Sequence, residues 1–236
     1  MSLRAKVIAS IAFATSAFLL VPAAQAATHP VQVNGNKLKS ALLPASTFGS
    51  GFKLDGSFST GKSLWHLKAL NHVPTMSCAN FENGGISLFG ETAGAGSDSD
   101  NEDASADANF PNVELLYEQT SYQFASAKAA TTFYNQAHAK YAKCTAFSEK
   151  ISGDPEGGTL DTTLMTLSKT KVGKFPAFQL NQGVNFSDLP AFSLYLNTLV
   201  TVDGTDVFII TNFSGTNDPV STASMLKLVN RTMKLR

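Results

Sequence analysis

The chain has 236 residues, with 18 basic and 18 acidic side chains and a formal net charge of zero at pH 7. This balance excludes the excess positive charge that is typical of proteins that bind nucleic acids or anionic membranes. Apolar residue types make up 43% of the sequence, which is typical of a globular chain and excludes a largely disordered one. We therefore expect no nucleic-acid partner.

The first residues have the composition of a bacterial secretory signal peptide. Arg4 and Lys6 form a short basic start, and residues 7–20 follow without a charged side chain. An uncleaved membrane anchor is the alternative interpretation. The uncharged run is shorter than the roughly 20 residues that an α-helix needs to cross a bilayer, so a cleaved signal peptide is favoured.

Small residues mark the cleavage site of this signal peptide. Ala24 and Ala26 form an A-x-A motif, which places the cut between Ala26 and Ala27. No cysteine lies near the cut, so no residue is available there for lipid attachment. We expect residues 1–26 to be removed and the mature protein to be secreted to the extracellular space without a membrane anchor.

The two cysteines, Cys78 and Cys144, are the only ones in the sequence. Disulfides form and persist in the oxidising compartments that exported proteins reach, so we expect these two residues to form a bond. The alternative makes Cys144 a catalytic nucleophile with His138 as its base. His138 lies six positions earlier on a predicted helix and therefore points to a different face, which disfavours that pairing.

The mature chain divides into a leader and one domain. Residues 27–37 lack hydrophobic periodicity and are predicted to be a mobile leader, and residues 38–236 are predicted to form a single domain. Residues 93–109 are rich in glycine, serine and acidic residues and are predicted to be an exposed loop. A calcium site in this loop is the alternative, but the glycine and glutamate positions of a calcium-binding loop are not matched.

Hydrophobic residues in the first half of the domain predict short elements. Leu38, Leu42 and Leu43 are predicted to form one helical turn that Pro44 stops. Residues 85–89 and residues 113–121 are predicted to be strands, on β-branched or apolar composition and on alternation respectively.

The clearest predicted helix begins after Ser126, which is a favourable N-cap residue. Its apolar stripe recurs at steps of three and four residues and ends at Cys144, with Lys140 placed elsewhere on the helix. The stripe predicted to be buried consists of Ala127, Ala130, Tyr134, Ala137, Tyr141 and Cys144. This spacing predicts that Cys144 faces the sheet and that a bond to Cys78 fixes the helix across it.

The second half of the domain is predicted to be mainly strands. Residues 162–168 and 177–181 are candidates, and residues 193–202 and 207–213 flank Gly204, which supplies the positive φ that a tight hairpin needs.

A final helix is predicted after Asp218 as cap and Pro219 as first helical residue. Its predicted buried stripe consists of Ala223, Leu226, Val229 and Met233. Short strands with a helix in the middle and another at the end predict an α+β fold, in which an antiparallel sheet packs against two main helices.

A search for catalytic and cofactor motifs finds none that fits its structural context. The sequence has no serine-hydrolase elbow, zinc-protease helix or C-x-x-C motif. His66 and His72 lack carboxylate partners for a metal. Residues 56–63 match the letters of a phosphate-binding loop, but no buried strand long enough for such a unit precedes them. We therefore expect a protein that is not an enzyme and has no cofactor, metal or catalytic residue.

The order of these features resembles the actinobacterial sensor-domain family typified by the extracellular domain of a mycobacterial receptor kinase. The residues that carry the resemblance are Leu42-Leu43-Pro44, Cys78 before the first strands, and Tyr122-x-Phe124-Ala125-Ser126-Ala127-x-x-Ala130 leading into a helix that ends at Cys144. The resemblance covers most of residues 38–236. It implies an antiparallel sheet, two main helices and a cleft for an unidentified ligand. The chain departs from the kinase members by lacking a kinase domain and by having one cysteine pair where two disulfides are expected.

Two classes of function follow from these observations. The favoured one is a secreted ligand-binding or sensor-like module, a monomer whose ligand is a small molecule or a cell-envelope component. The alternative is a secreted interaction protein, such as an inhibitor or envelope component, that acts through a surface. A cleft with a few buried polar groups would support the first class, and a large exposed apolar patch would support the second. The sequence identifies no ligand-binding residue.

Overall fold

The computed structural model describes residues 42–48, 52–54, 73–82, 95–103, 116–150, 158–217 and 219–234. The α-helices in these ranges are α1 (Cys78–Glu82), α2 (Ala127–Lys143) and α3 (Thr222–Met233). The strands are β1 (Phe52–Leu54), β2 (Ala95–Asp103), β3 (Leu116–Gln123), β4 (Ala146–Lys150), β5 (Thr159–Val172), β6 (Phe175–Phe186), β7 (Leu189–Asp203) and β8 (Asp206–Ser214).

The described strands form one antiparallel sheet in the order β1-β2-β3-β8-β7-β6-β5-β4. Strands β5 to β8 are neighbours in both sequence and space, because tight turns connect them. Gly204 has a φ of 58° in the β7–β8 turn, which confirms the predicted hairpin. Gly173 has a φ of 61° in the β5–β6 turn, a conformation in which a side chain would be strained. Strand β3 then pairs with the free side of β8.

Both faces of the central strands are buried, and this explains their continuous apolar sequence. In β8, Val207 and Ile209 face α2, whereas Phe208 and Ile210 face α3. Strands that are covered on both faces lose the alternation of apolar and polar residues that a one-sided sheet shows. The protein is therefore an α+β domain in which an antiparallel sheet packs against two main helices, as predicted, and the structure places one of these helices on each face.

Helix α2 has the predicted start and the predicted end. The Ser126 side chain accepts a hydrogen bond of 3.1 Å from the Ala129 amide, and Cys144 follows the last helical residue. The buried stripe differs from the predicted one at its edges. Ala127 is exposed, while Phe133 and Lys140 are buried. The stripe is wider than predicted because Phe133 packs against Tyr122 and Phe124 and because Lys140 donates a hydrogen bond to the Met76 carbonyl oxygen.

Helix α3 starts later than predicted. Its N-cap is Ser221, whose side chain accepts a hydrogen bond of 3.2 Å from the Ala223 amide, so Pro219 precedes the helix and the predicted cap was wrong. The later start also changes the buried face. The residues buried against the sheet are Met225, Leu228, Val229 and Thr232, whereas Ala223 and Met233 are exposed.

Two further sequence predictions are corrected by the structure. Residues 95–103, predicted to be part of a loop, form β2, which pairs with β1 on one side and with β3 on the other. A strand needs only backbone partners on its edges, which composition does not reveal. Leu42 and Leu43, predicted to end a helical turn before Pro44, are not helical, and the rest of that turn lies outside the described residues; a 3-10 helix follows Pro44 at Ala45–Thr47.

Several predicted features lie outside the described residues. These are the signal peptide with its cleavage site at Ala26 and Ala27, the leader, Leu38, the strand predicted at residues 85–89, His66, His72, residues 56–63 and Asp218. Among the helices that the structure describes, none combines the length and the apolar character required of a membrane span.

Candidate functional site

The structure joins Cys78 and Cys144 by a disulfide, with a Cα–Cα distance of 5.5 Å. Cys78 lies on the short helix α1 rather than on the sheet, so the bond fastens α1 to the end of α2 and not α2 to the sheet as predicted. Phe81 of α1 packs edge-on against Tyr141 of α2, with ring centroids 5.0 Å apart. Lys140 donates a hydrogen bond from Nζ to the Met76 carbonyl oxygen, just before α1. This region is therefore a structural anchor.

No group of three metal-binding side chains occurs within the ranges that the structure describes. His138, predicted to lie on the helix near Cys144, is half-buried on α2 in an edge-to-face contact with Phe178, with the two ring centroids 5.3 Å apart. Burial, and secondarily the positive charge of Lys169, lowers the pKa of His138 below 6.5. No carboxylate accompanies His138 in these contacts, so it resembles a packed histidine rather than a catalytic one.

The lowered pKa of His138 predicts an effect of pH on stability. Folding makes this residue harder to protonate, so its contribution to stability is present above pH 6.5 and is lost as the pH falls through the folded-state pKa. We expect His138→Gln to make the free energy of unfolding fall less between pH 7 and pH 5 than it does in the wild type. Urea unfolding at both pH values measures this difference, and equal losses in both proteins would contradict it.

A row of buried asparagines crosses the centre of the sheet. Asn197 of β7 lies directly opposite Asn181 of β6 on one side and Asn212 of β8 on the other. All three are on the face that carries α3, because residues two positions away on each strand contact that helix or its N-terminal loop. Their exposed fractions are 7%, 1% and 2% for Asn181, Asn197 and Asn212. We call these three residues the asparagine row.

The hydrogen-bonding capacity of the asparagine row is only partly used. Asn181 donates from Nδ2 to Asn197 Oδ1 and to Asn217 Oδ1, which comes from the loop after β8. Three side-chain atoms have no partner among the residues that are described: Asn181 Oδ1, Asn197 Nδ2 and Asn212 Oδ1. A buried polar atom without a partner is unfavourable by about 1–3 kcal/mol, so such atoms are rare unless a ligand or water uses them.

Gln119, a buried amide on the same face, has both of its side-chain polar atoms hydrogen-bonded within the protein. Its Oε1 accepts a bond of 2.8 Å from the Leu43 amide, and its Nε2 donates one of 2.7 Å to the Leu43 carbonyl oxygen. Gln119 is fully buried and lies in the next row on this face, opposite Ile210. The amide of Gln119 is therefore hydrogen-bonded within the protein, unlike those of the asparagine row, although Ser121 Oγ on the same face is also without a partner among the described residues.

A second row of residues lies beyond the asparagine row on the side away from α3. Gly183, Tyr195 and Ser214 are mutually opposite on β6, β7 and β8, and we call them the outer row. Tyr195 is half-exposed. The side chain of Met165, which is 49% exposed, covers Gly183, since its Sδ atom lies 3.5 Å from where a Cβ would stand. Gly183 and Tyr195 are therefore partly exposed, whereas Ser214 is buried.

Neither row contains a charged side chain. The next row on this face contains Asn185, to which Ser193 donates a bond of 2.9 Å, and the exposed Asp161 lies opposite Asn185 at the margin. Another amide with unpaired atoms, Gln182, lies on the α2 face between Leu164 and Leu196. Its cross-strand neighbours are apolar, so it does not form a comparable cluster. The asparagine row and the outer row together form the candidate site.

One signal for this site is present in the sequence. Asp203 pairs with Asp206 at the hairpin turn. Asn197 lies six residues before Asp203, and Asn212 lies six residues after Asp206, so the two asparagines are opposite each other. Asparagine is disfavoured within strands, so two asparagines opposite each other in apolar strands indicate a function. The position of Asn181 is harder to predict, because the β6–β7 pairing contains an irregularity between Asn185 and Phe186 that shifts the register.

A sheet with one main helix on each face places the chain in the class of single-domain α+β folds. Among solved structures, the fold is similar to that in the crystal structure of the extracellular domain of PknH from Mycobacterium tuberculosis, with a TM-score of 0.54. The match covers 86% of this chain and 97% of that chain at 12% sequence identity, so the likeness is one of fold. No protein-family model and no curated protein sequence matches the chain.

Proposed function

We propose that the chain is an exported, non-enzymatic ligand-binding or sensor-like module, and that its ligand binds at the asparagine row and the outer row. The observation that carries this proposal is the presence of three partnerless amide atoms in a row that is more than nine-tenths buried. Such atoms are satisfied when a ligand supplies the missing donors and acceptor. The fold likeness to an extracellular domain supports the sensor-like interpretation.

Export is the second part of the proposal. The basic start, the uncharged run and the A-x-A motif support removal of residues 1–26 and release of a chain that begins at Ala27. The disulfide between Cys78 and Cys144 fits an oxidising compartment.

The alternative function, an interaction protein that acts through an apolar surface, has less support. The large apolar side chains that are exposed among the described residues are Met165 and Met233, too few for an interaction patch.

The experiment that tests the proposal starts from protein secreted by its native host. N-terminal sequencing of the protein in the culture medium should give Ala27 as the first residue. Native mass spectrometry of that protein should then detect a bound small molecule that Asn212→Leu no longer retains. Recovery of the protein only in membranes would contradict export, and a variant that carries the same molecule at the same occupancy would contradict the site.

The ligand-free protein provides an independent prediction. We expect Asn212→Leu to raise the free energy of unfolding by about 1–3 kcal/mol, because it removes a buried acceptor without a partner and keeps a similar volume. The matched control is Gln119→Leu, which leaves the Leu43 amide and carbonyl without partners and should lower stability by about 2 kcal/mol or more. Urea unfolding measures both. A loss of stability in Asn212→Leu equal to that of Gln119→Leu would show that the row is structural.

A further inference from the structure

We propose that the ligand of this site is an uncharged saccharide, whose hydroxyl groups bind the asparagine row and whose ring packs against Tyr195. The inference rests on the proposed function, since it names the chemical class of ligand for the same site. Three observations carry it: the alternation of free donors and acceptors along the row, the lack of charge in both rows, and the half-exposed aromatic ring next to them.

The free atoms of the asparagine row alternate in kind. Asn181 offers an acceptor, Asn197 a donor and Asn212 an acceptor, on three neighbouring strands. Adjacent strands are about 4.8 Å apart, so the free atoms are spaced over several ångströms across the sheet. A hydroxyl group both donates and accepts, so a ligand with several hydroxyl groups on a rigid ring can satisfy all three positions.

Electrostatics favours an uncharged ligand. Moving a carboxylate, phosphate or ammonium group from water into a buried site is strongly unfavourable unless an opposite charge lies within reach. The asparagine row and the outer row contain only Asn, Gly, Tyr and Ser. Asp161 lies at the exposed margin, opposite Asn185 and beyond the outer row, where it would repel an anion. An anionic lipid headgroup or a nucleotide phosphate therefore finds no counter-charge in these rows.

The shape of the outer row favours a ring over an extended peptide. Tyr195 stands in the row next to Asn197 and opposite Gly183, which has no side chain of its own and is covered by the exposed Met165 side chain of β5. An aromatic ring with a polar end suits a ligand that has an apolar ring face and polar edges, as a pyranose has. A peptide that binds as an added strand needs a sheet edge, whereas β6, β7 and β8 are paired on both sides.

The test uses the full mature protein on an array of neutral oligosaccharides, acidic oligosaccharides and peptides, followed by calorimetric titration of the tightest neutral hit. We expect Tyr195→Ala and Asn197→Leu each to weaken that binding by at least about tenfold, and Tyr195→Phe to stay within about threefold. Asn135→Ala is the matched control on the exposed side of α2 and should change nothing. Tyr195 is half-exposed, so its variants remain informative even if Asn197→Leu does not fold.

Each of the remaining outcomes decides the question. Binding of acidic sugars alone, or no binding of any neutral sugar, overturns the saccharide inference. If the molecule that copurifies with the native protein is not a saccharide and is lost in Asn212→Leu, the proposed site stands while the ligand class is wrong. Saccharide binding that survives both Tyr195→Ala and Asn197→Leu places the ligand elsewhere and overturns the site as well.

Discussion

Replacement of Cys78 and Cys144 by alanine together is expected to lower the free energy of unfolding by about 2–5 kcal/mol, the usual range for a disulfide in an exported domain. The bond joins residues 66 positions apart, so its loss gives the unfolded chain much conformational freedom. The native state also loses the covalent link that holds α1, and with it Phe81, against the end of α2. Alanine adds no buried hydroxyl group at Cys144, which is almost fully buried.

Urea unfolding of the wild-type protein and of the double variant measures this difference. Wild-type protein unfolded in the presence of a reductant is the control, because it removes the bond without changing any side chain other than the cysteines. The two conditions should give the same loss. Titration of the denatured, unreduced protein should find no reactive thiol. Two thiols per chain, or a double variant as stable as the oxidised wild type, would contradict the prediction.

The disulfide also shows how far sequence reasoning extends in this protein. The pairing of Cys78 with Cys144 follows from the number of cysteines and from the predicted export, neither of which requires a fold. The element that carries Cys78 does not follow from them. Helix α1 has only five residues, too few for a hydrophobic period to predict it. The bond is therefore present as predicted, but it joins two helices rather than a helix and the sheet.

Lys140 illustrates a second limit of sequence reasoning. A lysine is ordinarily placed on the solvent side of a helix, and here it is buried because the Met76 carbonyl oxygen accepts its hydrogen bond. That acceptor lies 64 positions earlier in the chain, so no local spacing predicts it. A helix start that depends on a local capping bond can be predicted from the sequence. Ser126 was predicted correctly because the capping bond forms within three residues of it.

Strand β2 and the asparagine row depend on pairing between distant segments. The acidic composition of residues 95–103 predicted a loop, whereas their backbone pairs with β1 and β3. Asn181, Asn197 and Asn212 become neighbours only through the registers of two strand pairs, one of which contains an irregularity. The sequence therefore predicts the α+β class and the hairpin, while the candidate site requires the register of the folded sheet.

The aromatic core under α2 provides the second large effect. Phe178 of β6 is completely buried, and its ring centroid lies 5.2 Å from that of Tyr134, 5.3 Å from that of His138 and 6.1 Å from that of Tyr141. These three residues recur on α2 at steps of four and three, so one side chain of the sheet contacts two turns of the helix. Phe178 thus packs against three side chains of α2.

Phe178→Ala is expected to lower the free energy of unfolding by about 3–5 kcal/mol, because it removes buried contacts and leaves a cavity under α2 that the paired strand cannot close. The matched control is Phe175→Ala on the same strand, which should have a smaller effect because Phe175 is only half-buried. Urea unfolding measures both variants.

A second readout follows from the contact between Phe178 and His138. Water in the cavity weakens the burial that lowers the pKa of His138. NMR titration should therefore find the pKa of His138 shifted towards 6.5 in Phe178→Ala and unchanged in Phe175→Ala. Equal losses of stability in the two variants, with an unchanged pKa of His138, would mean that Phe178 does not hold the helix on the sheet.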